Sequence, residues 1–125
     1  MTKPDRQRVL VVDDSRDAAN SLAMLLEVLG HEAVAVYDGA SALAQTVEFK
    51  PQLVLLDLAM PGMDGFTVAR ELRSRDGGDG LTIIALTGFG QSDFLRATKD
   101  AGFDAQLAKP GSAAELSKLL ATRYR

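Results

Sequence analysis

The sequence predicts an α/β fold, in which helices cover both faces of a parallel sheet. Segments typical of strands and of helices alternate five times along the 125 residues. One predicted strand, Leu53–Leu58, is apolar at every position except Asp57. Such a strand is typical of a parallel sheet, because both of its faces are buried. Since crossover connections between parallel strands are right-handed, few topologies remain.

Composition and charge describe an ordinary globular domain. Hydrophobic residues make up 46% and charged residues 25% of the chain, and its length suits one domain. The formal net charge of −3 argues against a nucleic-acid binder, which normally presents a basic face. The chain has no cysteine and no apolar run that could span a membrane, and Val9–Val12 is too short for a signal peptide. We therefore expect a cytoplasmic protein without direct contacts to nucleic acid or membrane.

Five strands are predicted from short runs of apolar and β-branched residues. The polar residues 1–7 are expected to form a flexible tail, so that one domain covers residues 8–125. The predicted strands are Arg8–Val12, Glu32–Tyr37, Leu53–Leu58, Leu81–Leu86 and Phe103–Ala108.

A helix is predicted after each strand, from apolar residues that recur every three or four positions. Capping residues mark the start of three helices: Asp14 or Ser15 for the first, Asp64 for the third, and Ser112 with Glu115 as a capping box for the last. The fourth helix is expected to begin at Gln91 or Ser92. The inward positions, in chain order, are Ala18, Leu22, Leu25 and Leu29; Ala40, Leu43 and Val47; Val68, Ala69 and Leu72; Phe94, Ala97 and Ala101; and Leu116, Leu119 and Leu120.

Four of the five predicted strands end in residues that are able to do chemistry. These residues are Asp13 and Asp14 after the first strand, Asp57 in the third, Thr87 after the fourth and Lys109 after the fifth. Because parallel strands end at one edge of the sheet, three carboxylates, a hydroxyl and an ammonium group should converge there. Each residue taken alone has an ordinary explanation, as a helix cap, a turn residue or a solvated lysine. Their joint occurrence at four strand ends favours a functional site.

A cluster of three carboxylates requires a cation. At a separation of about 5 Å each pair repels by roughly 3 kcal/mol. Oxygen ligands favour a hard ion, and Mg²⁺, which retains several waters, is the natural choice. A bound Mg²⁺ together with Lys109 would attract a phosphoryl group, and Asp57 would then be its nucleophile. The Thr87 hydroxyl would share the phosphoryl oxygens with these cations.

The segments that carry these residues resemble the receiver domain of two-component signalling, the phosphoacceptor part of response regulators. The resemblance extends over roughly residues 8–124, and its motifs are highly specific in combination. They are Val11–Ser15, Leu55–Gly65, Ala85–Gly88 and Ala108–Pro110. The resemblance implies a (βα)5 fold with a flavodoxin-like sheet of five parallel strands in the order 2-1-3-4-5.

The resemblance also implies a role for each residue of the cluster. Asp57 accepts a phosphoryl group from a sensor histidine kinase or a histidine phosphotransfer protein, and an attached or separate output partner reads the signal. Mg²⁺, or Mn²⁺ as a substitute, is held by Asp13, Asp14, Asp57 and the backbone carbonyl of Ala59. Lys109 pairs with the phosphoryl group, and Thr87 moves to hydrogen-bond it. The domain is then no enzyme, although it assists its own phosphorylation and dephosphorylation.

Two positions depart from the pattern of the family. Gln106 stands where many receivers have a Tyr or Phe that swings inward when the Thr moves. Burying its amide without partners would cost about 1–3 kcal/mol, so we expect Gln106 to stay largely solvent-facing and to relay the Thr87 shift weakly. Gly111 replaces the usual aromatic or apolar residue after Lys109 and Pro110, and Pro110 resembles a residue that follows a cis peptide bond in this family.

A narrower similarity suggests the subfamily. The segments Ala85–Gly90 and Ala101–Ala105 are similar to receivers attached to hybrid histidine kinases. A receiver of that kind passes the phosphoryl group onward or regulates a kinase. A stand-alone receiver is the alternative.

Three other functions fit the sequence less well. A flavin-binding module needs a phosphate loop after the first strand, where Asp13 and Asp14 would repel the phosphate. A magnesium-dependent phosphatase that forms an aspartyl phosphate needs an acid/base Asp two residues after the nucleophile, where Ala59 stands. A receiver-like domain that has lost its chemistry would not need the full set of acidic and basic residues.

Overall fold

The computed structural model describes residues 6–75, 77–88, 99–109 and 111–122. Within them, one sheet contains five parallel strands in the order β2-β1-β3-β4-β5, which confirms the predicted fold class and strand order. The strands are β1 (Arg8–Val12), β2 (Glu32–Val36), β3 (Leu53–Asp57), β4 (Thr82–Thr87) and β5 (Ala105–Ala108). The helices are α1 (Arg16–Val28), α2 (Gly39–Phe49), α3 (Gly65–Ser74), a one-turn 3-10 helix (Gly78–Gly80) and α4 (Ala113–Ala121).

The register of the sheet aligns the C-terminal ends of its strands. Val12, the last residue of β1, pairs with Leu56 of β3. At the other side of the sheet, Thr87 pairs with Ala108 of β5. The residues that come next along these strands therefore lie at one edge, and they are Asp13, Asp57 and Lys109.

Two hydrophobic clusters, one on each face of the sheet, hold the helices in place. Helices α2 and α3 cover one face through Ala42, Val68, Ala69 and Leu72. Helices α1 and α4 cover the other face through Ala19, Leu26, Leu116 and Leu120. Strand β3 lies between them and is buried at all five positions, as the apolar run predicts. Full burial of a large aliphatic side chain contributes about 1.5–3 kcal/mol, so these two clusters supply most of the stabilisation.

Side-chain caps begin all four α-helices whose starts lie within the described residues. Ser15 caps α1, Asp64 caps α3, and Ser112 forms the predicted capping box with Glu115 at α4. Asp38 caps α2, accepting a hydrogen bond from the Ser41 amide at 2.7 Å. A cap of this type contributes about 1 kcal/mol.

The buried stripe of α1 is rotated from the predicted one. Ala19 and Leu26 are buried, whereas Ala18 is exposed and Leu25 is only partly buried. The helix has apolar residues at both members of the pairs 18/19 and 25/26, so the sequence pattern does not decide which member faces the sheet. The prediction for Ala18 is therefore wrong.

The prediction for α2 is wrong at two of its three inward positions. Ala40 is exposed and Val47 is 65% exposed, whereas Leu43 packs against the core. The buried residues of the helix are the small Gly39 and Ala42, and a Cβ on Gly39 would lie 2.9 Å from Val68 Cγ2 of α3.

Five strand boundaries differ from the prediction. Strand β3 ends at Asp57, not at Leu58, and β4 spans Thr82–Thr87, not Leu81–Leu86. Strand β2 ends one residue before Tyr37, and β5 begins at Ala105, not at Phe103. Asp104 precedes β5, and its carboxylate accepts hydrogen bonds from the Ile83 amide at 2.9 Å and from Arg73 at 2.7 Å. The Asp104 amide also donates a hydrogen bond to the Ile83 carbonyl at 2.7 Å, so side-chain and backbone bonds together join this residue to β4.

Several predictions fall on residues outside the described ranges. They concern the start and inward face of the fourth predicted helix at Gln91, Ser92, Phe94 and Ala97, and the bond before Pro110. The described end of that segment is helical at Lys99 and Asp100, and Ala101 is buried. At the N-terminus, Gln7 donates a hydrogen bond to the Leu120 carbonyl at 2.7 Å. The domain limits at residues 8 and 125 stay a prediction.

No helix among the described residues is long and apolar enough to pass through a membrane.

Candidate functional site

Three carboxylates meet at the C-terminal edge of the sheet. Each of Asp13, Asp14 and Asp57 offers an oxygen, and these oxygens lie within 4.8 Å of one another. Asp13 and Asp57 are 2% and 5% exposed, whereas Asp14 is open to solvent. The sheet thus brings together the three aspartates that the sequence analysis selected.

Lys109 reaches into this cluster from the end of β5. Its Nζ lies 2.7 Å from Asp13 Oδ2 and 3.4 Å from Asp57 Oδ1. The backbone amide of Lys109 donates a hydrogen bond to the Thr87 carbonyl at 2.8 Å. This bond holds the backbone of Lys109 against the end of β4. Among the residues that the structure describes here, one ammonium group faces three carboxylates, so these groups together keep an excess of negative charge when all of them are ionised.

Backbone amides orient the two buried carboxylates. The Ser15 amide donates to Asp13 Oδ1 at 3.0 Å, and the Ala59 amide donates to Asp57 Oδ1 at 3.3 Å. The start of α3 also lies against β3, because a Cβ on Gly65 would come within 2.3 Å of the Asp57 carbonyl oxygen. The position of Asp57 therefore depends on a glycine at position 65.

Burial raises the pKa of Asp57 to about 6, and repulsion from Asp13 adds to this effect. The positive charge of Lys109 and the Ala59 amide act in the opposite direction without overcoming it. Burial also disfavours the charged form of Lys109, but its hydrogen bond to Asp13 and the charge of Asp57 prevail, so that its pKa is raised. Lys109 therefore remains a cation at neutral pH.

Thr87 is buried at the end of β4, next to the cluster. Its Oγ1 lies 3.5 Å from the Leu107 carbonyl oxygen, to which it donates a long hydrogen bond. A bond of this length is weak, so the hydroxyl can be turned to another acceptor at small cost.

Gln106 is partly buried, which contradicts the expectation that it faces solvent. It lies inside β5, opposite Ala85 of β4, in the strand register. Its neighbour Leu107 belongs to the cluster on the α1 side, so Gln106 faces the other side of the sheet. The expectation considered only the cost of burying an amide and not the cover that a neighbouring strand provides.

A cavity that was not predicted from the sequence lies beside the cluster. It has a volume of about 210 Å³ and lies between α1 and the chain that follows β5. Asp13 and Lys109 line one end of it, and Gly111 lines it as well. The departure from the family pattern at Gly111 was the one signal that the sequence offered.

The carboxylate cluster suits a hard divalent cation. Mg²⁺ binds oxygen ligands at about 2.0–2.1 Å, so the ligand atoms around it lie roughly 3–4 Å apart. The oxygens of Asp13, Asp14 and Asp57 are within 4.8 Å of one another, so side-chain shifts of roughly 1 Å would bring them to an ion. The donor set therefore fits Mg²⁺, with water as the remaining ligands.

Comparison with known proteins agrees with this geometry. Residues 9–121 match the family model of the response regulator receiver domain. The chain belongs to this family. The receiver domain is 37% identical, over 120 residues, to the DNA-binding response regulator MtrA of Mycolicibacterium paratuberculosis. That alignment covers 96% of this chain and 52% of MtrA, so the chain spans about half the length of the curated relatives it matches.

Two solved structures show the same fold. The chemotaxis protein CheY4 of Vibrio cholerae is 28% identical with a TM-score of 0.86, covering 92% of this chain and 96% of that one. The receiver domain of sensor histidine kinase PA1611 from Pseudomonas aeruginosa PAO1 is 30% identical with a TM-score of 0.82, covering 92% and 94%. In that structure a magnesium ion is coordinated in the active site cleft. The acidic pocket of this receiver domain fits the phosphoacceptor site of its family.

These relatives do not decide whether the domain resembles receivers attached to hybrid histidine kinases or stand-alone receivers. MtrA joins its receiver to a longer regulator that binds DNA, and PA1611 is a sensor histidine kinase. The resemblance to receivers of hybrid kinases stays a prediction.

Proposed function

We propose that this receiver domain is the phosphoacceptor of a two-component phosphorelay and that Asp57 takes the phosphoryl group. The donor is the phosphohistidine of a sensor histidine kinase or of a histidine phosphotransfer protein. One observation carries the proposal: the buried Asp57 carboxylate lies 3.4 Å from the Lys109 ammonium group, inside a cluster with two further aspartates.

Asp57 is suited to act as a nucleophile at neutral pH. With a pKa of about 6, most molecules carry the ionised carboxylate at pH 7. Asp13 is engaged more tightly, since its carboxylate contacts Lys109 at 2.7 Å and the Ser15 amide at 3.0 Å. Asp57 is thus the carboxylate for the reaction, and Asp13 supports the charges around it.

Asp13, Asp14, Asp57 and the backbone carbonyl of Ala59 would hold Mg²⁺, for which Mn²⁺ can substitute. The ion, when bound, would offset the negative charge of the carboxylates and of the incoming phosphoryl group. The carboxylate oxygens of the three aspartates lie within 4.8 Å of one another, and their oxygen-only chemistry supports this set.

Lys109 and Thr87 would bind the phosphoryl oxygens on Asp57. The Lys109 ammonium group already contacts Asp57 and would exchange its contact with Asp13 for one with the phosphoryl group. Thr87 would exchange its long bond to the Leu107 carbonyl for a shorter bond to a charged oxygen. Both exchanges replace an existing contact, so the phosphorylated state needs only small side-chain movements.

The domain would act as a cytoplasmic signalling domain and not as a turnover enzyme. Ala59 provides no acid/base group two residues after Asp57, so hydrolysis of the aspartyl phosphate would depend on the cluster alone. An attached or separate output partner would read the phosphorylated state, without direct contact of this domain to nucleic acid or membrane. Gln106, which lacks an aromatic ring, would relay the Thr87 movement weakly.

Labelling with acetyl phosphate tests the proposal, because this small donor needs no partner protein. The parent domain should incorporate phosphate in the presence of Mg²⁺ and not in EDTA. Asp57→Asn should take up none, whereas Asp17→Asn, a matched change at an exposed position of α1, should be labelled like the parent. Undiminished labelling of Asp57→Asn would refute the assignment.

A further inference from the structure

A groove opens at the N-terminal edge of the sheet, at the end of the domain opposite the carboxylate cluster. It has a volume of about 770 Å³ and lies where β1 and β4 begin and where α2 and α3 end. Since a strand rises about 3.3 Å per residue, the five residues of β3 separate this groove from the cluster by roughly 16 Å. A volume of this size is typical of pockets that take a small molecule.

Three cations line this basic groove, and each comes from a different element. Arg8 begins β1, Lys50 follows α2 and Arg75 follows α3. No Asp or Glu is among the described residues that line the groove, and none of the three cations forms an ion pair with a described carboxylate. The groove therefore concentrates positive charge in a domain whose formal net charge is −3.

Arg73, in the last turn of α3, shows how an arginine with a structural role is bonded in this domain. Its guanidinium group donates to the carbonyls of Gly78, Leu81 and Gly102 and to the Asp104 carboxylate. An arginine has five N–H donors, and these bonds use all of them. Such a side chain has nothing left to offer a ligand.

The two arginines of the basic groove differ from Arg73 in this respect. Among the described residues, the Arg8 side chain donates only from Nε, to the Lys50 carbonyl at 2.9 Å. The Arg75 side chain donates only from Nη1, to the Leu43 carbonyl at 3.2 Å. Each bond ties an arginine to α2 but uses one donor of five, so both guanidinium groups can bind an anion without breaking it.

Lys50 has a left-handed backbone conformation, with φ 52° and ψ 60°. Glycine is the usual residue in this conformation after a helix, because a Cβ is disfavoured there. Among the residues that the structure describes, Lys50 is the one non-glycine residue with positive φ. A role for its ammonium group in the groove explains why a lysine stands in a position that suits glycine.

We propose that the basic groove binds the diphosphate group of a small molecule, such as a nucleoside diphosphate. A diphosphate concentrates its charge in one small group, which matches three cations around one volume, whereas the carboxylates of an acidic peptide are spread along a chain. Val47 and Pro51 provide apolar surface in the same groove. Gly77 and Gly80 also line it, and a Cβ at either would meet no protein atom within 4 Å, so the backbone there is open to a ligand.

Calorimetric titration of the domain with ADP in EDTA tests this proposal, which does not depend on the proposed function. EDTA removes Mg²⁺, through which the carboxylate cluster could otherwise hold a phosphate. The parent should bind ADP at one site and should not bind adenosine, which has no phosphate. Pyrophosphate is the second probe. Equal affinity for ADP and pyrophosphate would support a site for the phosphates alone, and tighter binding of ADP would support a site that also contacts the nucleoside.

Three variants remove the cations one at a time. Arg8→Gln, Lys50→Gly and Arg75→Gln should each lower the affinity for ADP about tenfold. Lys50→Gly is the sharpest test, because glycine suits the left-handed conformation, so its melting temperature should stay close to that of the parent while its binding weakens. Arg70→Gln removes an exposed arginine of α3 that does not line the groove, and this matched control should bind like the parent.

Absence of saturable binding of ADP and pyrophosphate by the parent at millimolar concentration would overturn the inference, as would equal affinity for adenosine or an unchanged affinity in Lys50→Gly. If a short polyglutamate peptide binds as tightly as ADP and loses its binding in the same variants, the groove takes an acidic protein segment and the inference is wrong. Labelling of Asp57 by acetyl phosphate should be unchanged in Lys50→Gly, so the groove and the phosphoacceptor site are tested separately.

Discussion

Asp57 must be buried enough to be held in place and ionised enough to react. Its burial and the charge of Asp13 favour the neutral carboxyl, whereas Lys109 favours the carboxylate. The balance leaves a pKa of about 6, close to the pH at which the proposed transfer takes place. Keeping the Asp57 carboxylate ionised without a metal ion should therefore lower the free energy of unfolding.

The pH dependence of unfolding in EDTA measures that cost. Because the pKa of Asp57 is raised from 3.8 to about 6 on folding, the folded state holds a proton that the unfolded state loses between these pH values. The contribution of the Asp57 carboxyl to the free energy of unfolding is thus fully present below about pH 4 and is lost as the pH rises through 6. Asp57→Asn should unfold like the parent at pH 4 and be more stable at pH 7, by roughly 1 kcal/mol after allowance for solvent at the site.

Urea unfolding at pH 4, 5, 6 and 7 provides the comparison, with Asp17→Asn as the control. A difference between parent and Asp57→Asn that is the same at every pH would contradict the raised pKa.

Some features of the site could be predicted from the sequence and others could not. Asp13, Asp57 and Lys109 follow strand ends, and a parallel sheet aligns such ends, so their meeting could be predicted. The partial burial of Gln106 and the cavity beside Gly111 could not, because both depend on which neighbours cover a position. Leu107, for example, fills the space next to Gly111 only in the folded arrangement.

Among the elements, the start of α3 controls the geometry of the site most directly. The Gly65 amide donates a hydrogen bond to the Leu58 carbonyl at 3.1 Å, and the helix begins against the end of β3. The buried face of this helix, Val68, Ala69 and Leu72, was predicted correctly because its apolar residues form a single stripe. In α1 two stripes compete, and there the prediction failed at Ala18.

Gly65→Ala should therefore damage both fold and site. Its Cβ would lie 2.3 Å from the Asp57 carbonyl oxygen, so α3 or β3 must shift, at a cost of about 1–3 kcal/mol. The displaced Asp57 should also be labelled more slowly by acetyl phosphate. Gly80→Ala, where a Cβ meets nothing within 4 Å, should change stability by less than about 0.5 kcal/mol. Equal stability of the two variants in urea unfolding would show that the close approach is not rigid.

For the whole molecule, the layer arrangement followed from simple patterns, whereas the strand order came from the resemblance to a family. Alternating strand and helix signals require a parallel sheet, and the resemblance to receivers supplied the order that the structure shows. Strand ends were less predictable, since side-chain bonds such as that from the Ile83 amide to the Asp104 carboxylate add to the backbone bonds there. The resulting sheet presents a cluster of three aspartates, and so an excess of negative charge, at one edge.

That excess should couple the stability of the whole domain to magnesium. Mg²⁺ at ten times its Kd should raise the free energy of unfolding by about 1.4 kcal/mol, because only the folded state assembles the three aspartates. Asp14→Asn should weaken this effect and should raise stability in EDTA, since it removes one repelling charge. Thermal unfolding with Mg²⁺, and with NaCl at equal ionic strength, is the measurement. A melting temperature that does not respond to Mg²⁺ would contradict the metal site.

The central claim is that the phosphoryl group resides on Asp57, and chemical trapping tests it most directly. The domain is labelled with acetyl phosphate and Mg²⁺, the acyl phosphate is reduced with borohydride, and the peptides are mapped by mass spectrometry. Reduction converts a phosphorylated aspartate into homoserine, which should be found at position 57 alone. Homoserine at position 13 or 14, or at none of the three, would contradict the assignment.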